Sequence, residues 1–230
     1  MKKTLNVIAI TLVIVLLCIP ANAAYTAIGL ENFTKAYEYS DDQFTDVSSN
    51  SWYAQNVESV FEHGLMAGVE THLFSPESYM TVAQAITISA RINNIYIGGD
   101  AEFLEIAEGD RWFDVYLRYT KSQGIITTDY PDYNAPATRA QFAKILAASI
   151  NPLDFEEINW IDDGAIPDVP TDADYADAVY MLYRAGVLAG SDSAGNFNPN
   201  STITRAETAA IITRIVDPNL RQTIELNGSY

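Results

Sequence analysis

The chain has 230 residues, with 13 Lys and Arg against 30 Asp and Glu, a net charge of −17, and one cysteine, Cys18. Such an acidic balance excludes nucleic acid as a partner, because a phosphate backbone demands a basic face, and it disfavours diffuse adsorption to any anionic surface. An anionic ligand must therefore be caught by a few placed cations.

Taken in chain order, the first element is an export leader over 1–23. Lys2 and Lys3 give a positive start, Val7 to Pro20 is almost continuously apolar, and Ala21-Asn22-Ala23 offers a small-x-small cleavage pattern. The apolar run is shorter than the roughly 18–20 residues of a spanning helix, so no membrane span is expected after cleavage. Leu17 stands before Cys18 where a lipobox wants a small residue. Loss of the leader leaves no cysteine, so the exported chain must be stable by packing alone.

After an N-terminal segment, 24–43, the sequence repeats itself, with copies expected at 44–95, 103–150 and 163–217 and a tail over 218–230. The first copy begins at Phe44-Thr45-Asp46-Val47. Tyr53, Val57, Val60, Phe61 and Gly64 then draw one apolar helical stripe, Phe74-Ser75-Pro76 marks a loop, and Thr81-Val82-Ala83-Gln84 opens a second helix. In the second copy Trp112 precedes Gly124 by 12 residues, as Trp52 precedes Gly64, and Thr138-Arg139-Ala140-Gln141 follows. Ile106 replaces the leading aspartate there, and the loop is shorter. The third copy runs from Asp168 through the stripe Tyr175, Ala178, Val179, Leu182, Tyr183 and Gly186 to Phe197-Asn198-Pro199 and Thr204-Arg205-Ala206-Glu207. All three T-x-x-[EQ] segments fit a capping box, in which threonine bonds the amide three residues on and Glu or Gln reaches back. The glycines ending the stripes suit left-handed helix caps.

These residues resemble the S-layer homology family, whose repeats run F-x-D-V, W, G-I-x-x-G, F-x-P and I-T-R-A-E; Phe44-Thr45-Asp46-Val47, Phe74-Ser75-Pro76 and Ile203-Thr204-Arg205-Ala206-Glu207 carry the match, over residues 44–216. The resemblance implies an all-α fold, a pseudo-threefold array of three helix-loop-helix repeats around a central helical bundle with grooves between neighbours. It also implies a secreted, non-enzymatic module at the cell wall that binds secondary cell-wall polysaccharide or a peptidoglycan-linked polymer, often pyruvylated and so acidic. The alternative is a structural protein that packs against other surface-layer or envelope proteins. Val82 departs from the arginine of the motif in the first copy.

Arg139 and Arg205 are the leading candidates for the site. Each follows its N-cap, where free backbone amides and a guanidinium are expected to converge on a carboxylate; the alternative is a solvated arginine or one paired with an acid. Trp52 and Trp112 lie one step off the stripe and could flank a groove, whereas Tyr53, Phe113 and Tyr175 are expected in the core. Asp46 and Asp168 are expected to cap the turn entering the first helix or to pair with an arginine, and secondarily to accept a sugar hydroxyl. Gln141 and Glu207 complete the candidate glycan-contacting set. Gly68 and Gly190 are read as serving backbone geometry. No cofactor or metal is expected: His63 and His72 are nine apart, and a calcium loop counted from Asp192 meets Ala194 and Ile203 where oxygen ligands are required. Paired carboxylates for glycoside cleavage are not visible in spacing alone. The segments flanking the repeats are too short for a further domain.

Overall fold

Three threonines start the three most buried helices, and each does so by the same local chemistry. In the computed structural model, which describes residues 28–103 and 106–226, Thr81, Thr138 and Thr204 each accept a hydrogen bond from the backbone amide of Gln84, Gln141 or Glu207, whose side chain accepts one from the threonine's own amide. The helices that follow alternate with shorter ones: α1 (Ala54–Glu62), α2 (Val82–Tyr96), α3 (Asp114–Ser122), α4 (Arg139–Ala147), α5 (Ala176–Arg184) and α6 (Arg205–Val216). Among the described residues there are no strands, only isolated bridges, so the fold is all-α. Single 3-10 turns lie at Leu30–Asn32, Pro152–Asp154 and Pro218–Leu220. The expected leader, 1–23, lies outside the described residues, and no helix among them is long and apolar enough to cross a membrane.

Apolar residues surround α2, α4 and α6 on most sides, as in Ala85, Ile86, Ile88 and Ile92 of α2, and burial on most sides follows. The outer helices α1, α3 and α5 have one apolar stripe each and bury only that stripe. Each outer helix lies on an inner helix from another unit: α1 on α6, α3 on α2, α5 on α4. These contacts run in one direction round the molecule and return to their start. A ring of backbone hydrogen bonds closes with them. Met80 donates to Ile203 (2.9 Å), Ile203 to Ala137 (3.2 Å) and Ala137 to Met80 (2.7 Å).

The same loops cap the inner helices. The first two amides of α2 donate to Ala135 and Tyr133, those of α4 to Ser201 and Pro199, and those of α6 to Ser78 and Pro76, at 2.8–3.0 Å. The third amide of each is taken by its threonine. Helix ends normally leave such donors to water or ligand. Here other parts of the chain have taken them, and the expectation of free amides beside Arg139 and Arg205 is overturned.

Gly64, Gly124 and Gly186 adopt φ of 69°, 73° and 68° just past α1, α3 and α5, the left-handed geometry expected of the stripe-ending glycines.

Candidate functional site

Two small grooves are built from corresponding positions of different units. The first, about 190 Å³, is bounded by Trp52 ahead of α1, Arg139 at the start of α4, Leu188 to Ser191 of the third unit's loop, and Glu207, Ile211 and Arg214 along α6. The second, about 170 Å³, is bounded by Trp112 ahead of α3, Arg205 at the start of α6, Leu65 to Gly68, and Gln84, Ile88 and Arg91 along α2. Arg91 and Arg214 each follow the capping Gln84 or Glu207 by seven residues, two helical turns, and so share its face. That spacing is present in the sequence, but the capping box marks only the helix start, two turns away.

Arg139 and Arg205 are anchored by the chain itself, and are only 8% and 5% exposed. Arg139 Nε donates to the Phe197 carbonyl at 2.8 Å, and the guanidinium lies 5.2 Å from the centre of that ring. Arg205 Nε donates to Phe74 at 2.7 Å and Nη2 to Ala67 at 2.6 Å, with the Phe74 ring centred 4.5 Å away. Arg214 reaches the Val187 carbonyl and Arg91 that of Leu65. Burial pulls Arg205 down to about 10 against a weaker opposing pull from Asp46, and also lowers Arg214. Both remain cations at neutral pH.

Charge pairing separates these arginines from the rest. Lys35, Arg111, Arg118, Lys121, Lys144 and Arg184 each hold an Asp or Glu at 2.5–2.8 Å. Arg139 has Glu207 at the outer limit, 3.5 Å. Among the described residues Arg91, Arg205 and Arg214 lie in no ion pair, and all three line a groove. Arg221, the remaining such cation, donates to the carbonyls of Arg214 and Asp154. The expected alternative of an acid partner thus holds only marginally for Arg139 and fails for Arg205.

Trp52 and Trp112 are 65% and 47% exposed, each edge-on to the aromatic that follows it. Tyr53 and Phe113 are buried, and Tyr175 is only partly so. Asp46 and Asp168 stand outside the residues lining either groove. Asp46 accepts from the Phe74 and Ser75 amides (2.9 and 2.7 Å), and Asp168 from those of Phe197 and Asn198 (2.7 and 2.6 Å). They cap the loop where Ser75 and Asn198 turn through φ of 57°, not the entry to the first helix. By fixing Phe74 and Phe197 they set the carbonyls that hold the two arginines. Gly68 and Gly190 line the grooves because backbone comes close there: a Cβ on Gly68 would lie 2.4 Å from the Glu70 carbonyl oxygen.

The third set of corresponding positions has lost this chemistry. Val82 stands for the arginine at the helix start, Ala148 for Arg91 and Arg214, and Asp174 for the tryptophan. Asp174 binds Lys144 at 2.5 Å across a cleft of about 490 Å³. Gln141 serves its capping box there and does not border that cleft.

The S-layer homology domain profile matches residues 43–86 and 165–209; the middle unit falls outside the match. The chain is 28% identical over 183 residues to a surface-layer 125 kDa protein of Lysinibacillus sphaericus, covering 76% of this chain and 15% of that one. It is 25% identical over 173 residues to an S-layer protein of Bacillus thuringiensis subsp. finitimus, and 24% identical over the same length to S-layer protein sap of Bacillus anthracis, covering 74% of this chain and 21% of each relative. The chain therefore spans about a fifth or less of the length of these curated relatives.

Proposed function

The chain belongs to the S-layer homology family and works at the cell surface; from that premise we propose that it is a non-catalytic anchor whose two arginine-lined grooves hold an acidic glycan. The observation that carries this reading is the set of acid-free arginines. In a chain of net charge −17, carboxylates are abundant, yet Arg91, Arg205 and Arg214 face grooves with no ion-pair partner among the described residues. A buried or half-buried cation without a counter-ion is costly, and an incoming carboxylate relieves that cost. Beside each pair of arginines stands an exposed indole, a flat apolar face suited to the CH-rich face of a sugar ring. A pyruvylated wall polysaccharide supplies both features, a ketal carboxylate and a sugar ring. Asp46 and Asp168 position the arginines, Glu207 tempers one groove, and Gln84 leaves the other with positive charge only. The cleft between Lys144 and Asp174 does not take part.

Protein-free wall sacculi, intact or stripped of their acidic ketals, distinguish this from other readings. The anchor is expected to sediment with intact sacculi, to be released by removing the ketals, and to liberate no soluble sugar. Equal retention on both preparations would falsify the acidic-group assignment. A second reading, packing against other surface proteins, draws on Leu153 and Trp160, which are 88% and 84% exposed. Under that reading protein-free sacculi retain nothing.

A further inference from the structure

A cleft of about 760 Å³ runs on from the Trp52 groove along the seam of α1 and α6, sharing Trp52, Ala210 and Arg214 with it. Its α1 wall carries the neutral polar side chains of Gln55, Asn56 and Ser59 beside Glu58 and Glu62; its other wall includes Thr213 and Asp217 at the end of α6. The side chains of Gln55, Asn56 and Ser59 make no hydrogen bond to other described residues.

Among the described residues, two tyrosines take up the corresponding space beside Trp112. Asn56 and Ser59 lie three and six residues beyond Tyr53; Tyr116 and Tyr119 lie three and six beyond Phe113. Both tyrosines pack on Phe103, with ring centres 4.7 and 5.1 Å away. Tyr119 also donates to Asn93 Oδ1 at 2.8 Å, and Arg91 lies over Tyr116. Two aromatic rings thus close on one side what two small polar residues leave open on the other.

We propose that the α1–α6 cleft is an extension subsite that binds the uncharged, hydroxyl-rich sugar units of a polymer whose acidic unit sits between Trp52 and Arg214. This subsite presupposes the glycan reading of the Trp52 groove. Its charge argues for neutral units: Glu58, Glu62 and Asp217 outnumber Lys35 and Arg214 along its walls, and Lys35 is held by Glu62 at 2.6 Å. A second carboxylate is repelled there, while amide and hydroxyl side chains match sugar hydroxyls. The Trp112 groove, closed by its tyrosines, is confined to one acidic unit.

The test is calorimetric titration with acidic wall polysaccharide released enzymatically from sacculi and fractionated by length. It is run in an Arg91→Gln background, so that a long fragment gains nothing by bridging the two grooves. Fragments of several units are expected to bind about ten-fold tighter than a single acidic unit, a gain beyond the number of charged units added. Asn56→Tyr with Ser59→Tyr, which copies the other unit, is expected to leave single-unit binding intact and abolish the gain. Should that pair lower the melting temperature, Gln55→Ala with Asn56→Ala is the second variant, expected to reduce the gain several-fold. Single-unit binding with no gain from length overturns the subsite, as does a gain that survives both variants. Failure of even the single unit to bind defeats the groove reading itself.

Discussion

Arg205 holds the carbonyls of Phe74 and Ala67 with the same guanidinium that borders the groove, so its removal acts on the fold as well as on the groove. Arg205→Ala leaves buried acceptors unsatisfied and is expected to cost about 2–4 kcal/mol in urea unfolding, since bonds to charged donors are worth roughly 1.5–3 kcal/mol each. Arg205→Lys is expected to recover only part, because an ammonium cannot present the planar fork that spans two carbonyls. Trp112, 47% exposed, is the cleaner probe: Trp112→Ala should weaken glycan binding several-fold at a stability cost of about 1 kcal/mol or less. The pH response follows from the arginine. Its folded value, about 10, lies below the unfolded one, so burying its charge costs stability throughout the range below about 10; that cost is relieved only as pH rises through about 10. Binding should therefore be flat between about pH 6 and about pH 9, and should fail near pH 4 and below as ligand carboxylates protonate. Loss of binding near neutral pH would point to a titrating group other than these guanidiniums.

The helix starts were legible in the sequence because their chemistry is local. A threonine and a Gln or Glu three residues apart carry the capping box by themselves, and Thr138→Ala is expected to cost about 1 kcal/mol, read as a shift in the urea midpoint. The stripe-ending glycines were legible for the same reason, since left-handed geometry is a demand on one residue. Their substitution costs differ through packing. Gly124 has nothing within 4 Å of an added Cβ, so Gly124→Ala should cost about 1–2 kcal/mol for φ alone. At Gly186 the Cβ would lie 2.5 Å from the Gln222 carbonyl oxygen, where the C-terminal segment pairs with the Gly186 carbonyl. Gly186→Ala should cost about 1–3 kcal/mol more and loosen that segment; equal losses at the two sites would contradict the packing. What the sequence hid is non-local. The amides of α6 are taken by Ser78 and Pro76, and Asp46 caps a loop 28 residues away. No spacing rule within one unit reveals that one unit's loop closes another unit's helix. The arginines beside those helix starts are accordingly held by carbonyls of distant loops, and the neighbouring amides are occupied.

At the scale of the whole molecule, three sets of corresponding positions have diverged into three environments. One groove carries Arg139, Arg214, Glu207 and Trp52; another carries Arg205, Arg91, Gln84 and Trp112; the last has Ala148 and a Lys144–Asp174 pair, with the arginine replaced by the buried Val82. The exposed ion pair is worth little to stability, yet it supplies the lysine with its counter-ion and leaves that cleft no unpaired cation among the described residues. A chain so acidic gains nothing from its general field when it approaches an anionic wall, so the proposed anchoring assigns specificity for the polymer to the two arginine sets. Titration calorimetry with a single acidic unit of the wall polysaccharide tests this most directly. About two equivalents are expected to bind the unaltered chain, about one to bind Arg214→Gln, and none to bind Arg91→Gln with Arg214→Gln at unchanged helicity. Three equivalents, or undiminished binding by the double variant, would contradict it.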